Sequence, residues 1–268
     1  MFGKPKDAKQ FAEWAQWINY NGYRAIFESR SEHRRGMLLW MSHPAWPSMV
    51  WQTYDYYFNP TAAYFGCKKA CEPLHIQWNP IREDIEVVNY HAGAQKNITA
   101  KAQLFNQDGK EQWSKELTFD IEDDQTVACF PLAATDKLSD TYFIKLTLTD
   151  KNGKVVSDNF YCRGKEEDNY KSLLNLPSVE LTSNWTTEKE GDQLVIKGSI
   201  KNNTSTPALM IRLQVMGKKS KNRILPVLYS DNYFSLLPGE EKAICITLSH
   251  ADTRGEQPFI EITGFNVK

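Results

Sequence analysis

"LHIQWNPIREDIEVVNYHAGAQKNITAKAQLFNQDGKEQWSKELTFDI", residues 74–121, is the stretch whose reading decides the fold. Apolar and polar residues alternate in short runs at 74–79, 84–90, 98–106 and 113–121, and "QDGK" at 107–110 is a turn signal between two of them. A period of two sends successive side chains to opposite faces, so each run reads as a strand with one face in a core. Outward toward the C-terminus the pattern continues in "TVACF" (126–130), "YFIKLTLTD" (142–150) and "KVVSDNFYC" (154–162), the last two joined by "DKNGK". Seven short strands with tight turns predict an immunoglobulin-like sandwich.

A charged stretch, "RGKEEDNYKSLLNLP" (163–177), leads to a second series. Its runs are "VELTSN" (179–184), "QLVIKGSIKN" (193–202), "ALMIRLQVMG" (208–217), "ILPVLYS" (224–230), "NYFSLL" (232–237), "KAICITLS" (242–249) and "FIEITGF" (259–265). They predict a second sandwich. The two series show no sequence repeat, so they share architecture only.

Toward the N-terminus the texture changes. From Asp7 to about Arg30, apolar residues at Phe11, Trp14, Ala15, Ile18, Gly22, Ala25 and Ile26 predict the buried stripe of a long helix capped by Asp7. "GMLLWM" (36–41) reads as a strand buried on both faces. After a Pro-containing loop, Val50, Trp51, Tyr54, Asp55 and Phe58 return to helical spacing, and "TAAYFGCKKAC" (61–71) predicts a further helix. A single strand among helices cannot make a sheet, so the helix-strand-helix order points to an incomplete α/β layer or barrel.

Composition narrows the function classes. The 268 residues carry a formal net charge of -1, which gives no electrostatic reason for a nucleic-acid or anionic-membrane partner. The basic run "GKKSKNR" (217–223) reads as a polar turn. No apolar run approaches the roughly 20 residues that span a bilayer, and "MFGKPKDAKQF" lacks the apolar segment of a secretory signal. The five cysteines are no disulfide framework. Cys67, Cys71 and His75 sit at successive four-residue spacings, which would suit metal ligands on one helix face, but Pro73 interrupts that helix and no metal or cofactor is expected. Phosphate loops and nucleophile elbows have no counterpart here. Asn97, Asn184, Asn202 and Asn203 begin glycosylation sequons that mean little without a eukaryotic secretory context.

The run "WMSHPAWPSMVWQTYDYYFNPTAAYFGCKKACEPLHIQWNP", residues 40–80, resembles the end of the catalytic barrel in glycoside hydrolase family two, in its branch of β-mannosidases, exo-β-glucosaminidases and plant-type endo-β-mannosidases. "DNFYCRGKEEDNYKSLLNLP" (158–177) is similar to the link between the C-terminal β-domains of that branch, and "LYSDNYFSLLPGEE" (228–241) to a strand pair in the last domain. The resemblance implies a multidomain, mainly β chain: two immunoglobulin-like β-sandwiches preceded by the last α-β-α segment of a (β/α)8 barrel. The borders expected are 1–72, 73–165 and 166–268. On this basis the chain is the C-terminal region of a retaining exo-β-glycosidase whose parent works in the periplasm or outside the cell, and whose remaining domains lie upstream of Met1.

Retaining hydrolysis needs two carboxyl groups roughly 5 to 5.5 Å apart, held at the C-terminal ends of barrel strands. The one barrel strand expected here ends in Trp40, Met41, Ser42 and His43, with no carboxylate. Glu13, Glu28, Glu32, Asp55 and Glu72 fall on helices or at a junction and read as solvated or structural, so no catalytic residue is assigned and the chain alone is expected to be inactive. What it can supply is a wall of the sugar pocket, because aromatic faces stack on pyranose C–H groups. By resemblance Trp40 lines the subsite of the terminal sugar, and Trp46, Ser42 and His43 shape its rim; Trp46 reads equally as packing and His43 more readily as a turn residue. Ser42 and His43 stand where many relatives carry Asn or Asp, which leaves the sugar open. Trp51 reads as core, and Trp14 and Trp17 as helix packing. The expected partners are an oligosaccharide or glycoside bound by the complete barrel, and the missing N-terminal domains.

Two other readings compete. A non-catalytic carbohydrate-binding module would show a row of exposed aromatics on a sandwich, with Trp113 and Trp185 as candidates. A structural scaffold would expose an apolar face on the leading helix and strand, open to self-association.

Overall fold

The computed structural model describes residues 1–29, 37–49, 51–133, 136–166 and 169–268. The protein is mainly β, with two helices preceding a series of antiparallel sheets in sandwich-like domains. It divides into a unit of Met1–Pro5, Asn21–Leu39 and Gly66–Asn175 and a unit of Lys6–Tyr20, Trp40–Phe65 and Leu176–Lys268. Helices α1 (Ala8–Glu28) and α2 (Ala62–Ala70) contribute residues to both.

Asp7 caps α1 as expected, its Oδ1 accepting the Gln10 N–H at 2.8 Å. The buried face of α1 is not the apolar stripe of the sequence. Trp14, Trp17, Tyr20, Arg24 and Glu28 are buried, whereas Phe11, Ile18 and Ile26 are exposed. Hydrophobic spacing identifies a helix but assumes that its apolar side faces the protein; here a polar network holds Arg24 and Glu28 inside. The strand expected at 36–41 is also absent. Gly36 lies outside the described residues, and Met37–Met41 are irregular, with Leu38 98% exposed. A strand persists through hydrogen bonds to a neighbour, and no described strand pairs with this segment.

In the first unit β1 (Leu74–Asn79), β2 (Asp84–Asn89), β3 (Gln95–Asn106), β4 (Glu111–Ile121), β5 (Gln125–Pro131), β6 (Thr141–Thr149) and β7 (Val155–Gly164) match the seven expected runs. They form sheets in the orders β1-β2-β5 and β4-β3-β6-β7. Ile76, Ile85 and Val87 of one sheet share a core with Ile98, Leu104, Ile144 and Leu146 of the other. Burial alternates along β3 and β6 as the sequence does, whereas Leu74–Gln77 of β1 and Ile85–Asn89 of β2 are buried continuously.

The second unit holds β8 (Thr182–Glu190), β9 (Gln193–Lys201), β10 (Ala208–Gly217), β11 (Val227–Tyr229), β12 (Phe234–Leu236), β13 (Glu241–Ser249) and β14 (Pro258–Thr263), in sheets β11-β13-β9-β8 and β12-β10-β14. β8 runs later than the expected 179–184, because Val179 makes only an isolated bridge to Val267 and "TTEKE" continues the strand. Those residues are exposed and carry no apolar period, so pairing with β9 alone defines them. β11 begins after Pro226, which has no N–H to give a ladder. "GKKSKNR" is a turn as expected, closed by the Gly217 N–H to the Asn222 carbonyl at 2.9 Å.

Buried asparagines satisfy backbone groups that the ladders miss. Asn266 accepts from the Leu209 N–H at 3.0 Å and donates to the carbonyls of Pro177 and Pro207. Asn202, a sequon residue, is fully buried and donates to Thr206 and Leu236, so it cannot present its amide for modification. Gly198 lies opposite Trp185 in the β8-β9 ladder, and a Cβ there would stand 2.0 Å from the Asn184 carbonyl oxygen. Gly198→Ala is expected to cost about 1–3 kcal/mol through forced displacement of β8, read as a lower urea midpoint. An unchanged midpoint would show that β8 shifts freely.

Candidate functional site

The residues singled out for sugar contact lie in Trp40–Phe58, within the second unit. Trp40 is 78% and Trp46 68% exposed, and Met41, Ser42, Met49, Tyr56, Tyr57 and Phe58 are exposed as well. Trp51, expected in the core, is 55% exposed. All exposed Trp, Tyr and Phe side chains among the described residues occur at or before Phe58. Trp113 packs partly buried on the first core and Trp185 on the second, its indole N–H directed to Ser183 Oγ at 3.1 Å. The aromatic row that would mark a binding sandwich is therefore not found among the described residues.

Backbone hydrogen bonds hold the loop in shape. The Ser42 carbonyl accepts from the Tyr54 N–H at 2.9 Å and from Thr53 Oγ1 at 3.0 Å, so Ser42 is pinned through its main chain while its side chain stays exposed. The His43 ring stacks on Phe58 with centroids 4.4 Å apart, and its Nε2 lies 3.2 Å from the Tyr56 carbonyl. A carbonyl can only accept, so that nitrogen carries the proton. His43 acts here as a packing and turn residue.

The helix expected over Val50–Phe58 does not form; Val50 itself lies outside the described residues. Asp55 Oδ1 instead accepts from the N–H groups of Tyr57 (2.8 Å) and Asn59 (3.0 Å), folding the segment into a turn that closes with a bridge from Tyr54 to Pro60. An aspartate that bonds nearby backbone competes with a helix, and Pro60 ends any that begins. Asp55 Oδ2 pairs with Arg223 Nη1 at 3.0 Å, and the guanidinium stands over the Tyr57 ring. Every oxygen of Asp55 is committed to holding this turn.

The other carboxylates are also placed. Glu13 is exposed beside Lys9, and Glu32 lies outside the described residues. Glu28 and Glu72 meet opposite nitrogens of His75 inside the first unit. An imidazole separates them, so they are not a retaining pair. By sequence Glu28 reads as solvated or structural, without its partners; the signal for the buried site is the spacing of four from Arg24 to Glu28 on α1.

No group of three or more His, Cys, Asp or Glu suited to a metal occurs among the described residues. His75 stands on β1, bonded to glutamates, while Cys67 and Cys71 stay near the end of α2. Burial, with the nearby Cys71, pushes the Cys67 thiol up to about 12. Both thiols are thus neutral at ordinary pH. No described helix is long and apolar enough to cross a membrane.

Residues 159–267 match the family described as the exo-β-D-glucosaminidase Ig-fold domain. The chain is 32% identical to an exo-β-D-glucosaminidase of Streptomyces avermitilis, over 99% of this chain and 33% of that protein. It superposes on the crystal structure of the exo-chitosanase of Amycolatopsis orientalis with a TM-score of 0.92 at 28% identity, covering 99% of this chain and 35% of the other. A β-D-mannosidase from Dictyoglomus thermophilum shares the fold, with a TM-score of 0.74 at 18% identity over 31% of its length. The chain therefore spans about a third of the relatives that it matches, and it resembles the C-terminal immunoglobulin-like region of hydrolases of the exo-β-D-glucosaminidase and β-mannosidase type.

Proposed function

We propose that this chain is the C-terminal region of a retaining, exo-acting glycoside hydrolase family 2 enzyme that removes terminal β-linked glucosamine or mannose units. In this reading residues 1–72 close a catalytic (β/α)8 barrel, and 73–165 and 166–268 are the sandwiches that brace it. The catalytic carboxylates stand on other strands of that barrel, in sequence outside this chain. Trp40 offers its indole face to the terminal sugar, Trp46 and Ser42 lie at the rim, and His43 holds the loop through Phe58 and the Tyr56 carbonyl.

The observation that carries this reading is the concentration of exposed aromatic surface in Trp40–Phe58. A polypeptide that ordered such a surface for packing alone would cover it. A barrel would cover its flanks and leave the pocket wall open to substrate. The exposed Phe11 and Ile18 on α1, which belong to the same unit, fit the same cover, and in the isolated chain a second copy would serve instead.

Hydrolysis of chromogenic β-glucosaminide and β-mannoside tests the proposal, first with this chain alone and then with the protein extended upstream through its reading frame. Activity is expected only in the extended protein, and the better substrate names the sugar. Turnover by the isolated chain would sink the missing-carboxylate argument.

A further inference from the structure

We propose that Glu28, His75 and Glu72 form a proton-dependent clasp that holds the last turn of α1 on the first sandwich. The clasp is closed while the imidazole carries both ring protons and opens when it loses one.

His75 has no accessible surface. Its Nε2 lies 3.0 Å from Glu28 Oε1 and its Nδ1 3.3 Å from Glu72 Oε2. A neutral imidazole donates from one nitrogen only; a bare Nε2 would face the Glu28 oxygen with only the long 3.4 Å contact from Asn159 Nδ2 to accept, and a bare Nδ1 would face the lone pairs of Glu72. Both contacts are hydrogen bonds when the ring is an imidazolium and the two glutamates are ionised. Both carboxylates accept from other donors as well. Glu28 Oε1 also accepts from Tyr161 Oη at 2.9 Å and Asn159 Nδ2 at 2.8 Å. Glu72 accepts from Ser157 Oγ at 2.6 Å and from Lys69 Nζ at 2.8 Å.

The surrounding charges complete the argument. α1 brings Arg24 and Glu28; the end of α2 and the following loop bring Lys69 and Glu72; β7 brings Asp158, 2.7 Å from Lys69, and the Tyr161 hydroxyl. Glu86 of β2 is reached through Gln77 and has its own cation in Arg82. Among the described residues three carboxylates thus stand with two permanent cations, and the imidazolium balances them. Deprotonation would leave these groups net negative, with His75 and Glu28 buried and the Glu72 and Asp158 side chains 27% and 41% exposed.

Burial alone would depress the His75 pKa, but the hydrogen bonds and charges of Glu28 and Glu72 outweigh it and hold the ring above the ordinary 6.5. Burial would raise the Glu28 carboxyl, and it is nevertheless held below 4.5 by the His75 hydrogen bond, by Arg24, by the His75 charge and by Asn159. The two limbs have opposite signs. The His75 contribution is full below its unfolded value and is lost as pH rises through the raised folded value. The Glu28 contribution is present above the unfolded carboxylate value and is lost as pH falls through the depressed one. The clasp therefore closes over the window between those two folded values, and it grips α1 at its last residue.

Ring 15N shifts of His75 and amide exchange of the 22–28 segment, corrected for intrinsic rates, test this in the whole chain between pH 5 and 10. The expected result is an imidazolium at pH 7, with protection of 22–28 falling at least tenfold as the ring deprotonates. Glu72→Gln should lower the midpoint by about one pH unit or more. A neutral His75 at pH 7, or protection that stays level through the ring's titration, would overturn the proposal. If Glu72→Gln does not fold, the two measurements on the unaltered chain decide alone.

Discussion

Trp40→Ala in the upstream-extended protein is expected to lower kcat/KM toward the better chromogenic glycoside about 100-fold, equivalent to ~2.7 kcal/mol of transition-state binding. Tryptophans that dock a ligand face on an open surface are the residues most often found to carry such energies. The indole is 78% exposed and packs little within the chain, so its removal should leave the melting temperature unchanged. Trp46→Ala, at the rim, is expected to cost about tenfold or less. Steady-state kinetics of both variants beside a thermal melt make the check. Full activity in Trp40→Ala would remove this residue from the pocket and leave the aromatic loop as a docking surface only.

Phe65→Ala should destabilise the second unit by about 3–5 kcal/mol. Phe65 is 1% exposed on α2, and its ring meets Tyr64 (5.1 Å), Tyr233 (5.8 Å) and Tyr229 (6.4 Å). It shares a core with Ile200, Leu213 and Ile246 of the sheets, so truncation opens a cavity among residues fixed by ladders on β9, β10 and β13. The surrounding strands cannot collapse into that space without breaking register. Chemical denaturation followed by tyrosine and tryptophan fluorescence would show an early transition for this unit. A loss under about 1 kcal/mol would mean that α2 is seated by backbone contacts, such as the Ala62 N–H to Gln16 Oε1 at 2.8 Å, and not by the ring.

The strands were legible where pairing and burial coincide. β3, β6 and β10 alternate in the sequence because one face of each enters a core, and the sequence shows that period directly. β8 escaped in part, since an exposed edge strand is held by its backbone and leaves no apolar signature. Trp40, Trp46, Ser42 and His43 could be named from residue type and resemblance, but their contacts and exposure are seen only in the structure. His43 stacks on the exposed ring of Phe58, while both indoles are largely exposed.

The sequence by itself determined two β-rich series, both helices outside the Val50–Phe58 segment and the cap at Asp7. These follow from local periodicity and residue chemistry, which do not need a partner. Tertiary structure alone decided which side of α1 is buried, that Tyr54–Pro60 is a turn tied by Asp55, and that Glu28 and Glu72 meet across His75. The buried side of α1 and the Glu28–His75 contact depend on groups far apart in the chain, where a buried ion is tolerated only if they complete its charge and hydrogen bonds; the Asp55 turn is local and turns on side-chain bonds that hydrophobic spacing does not show.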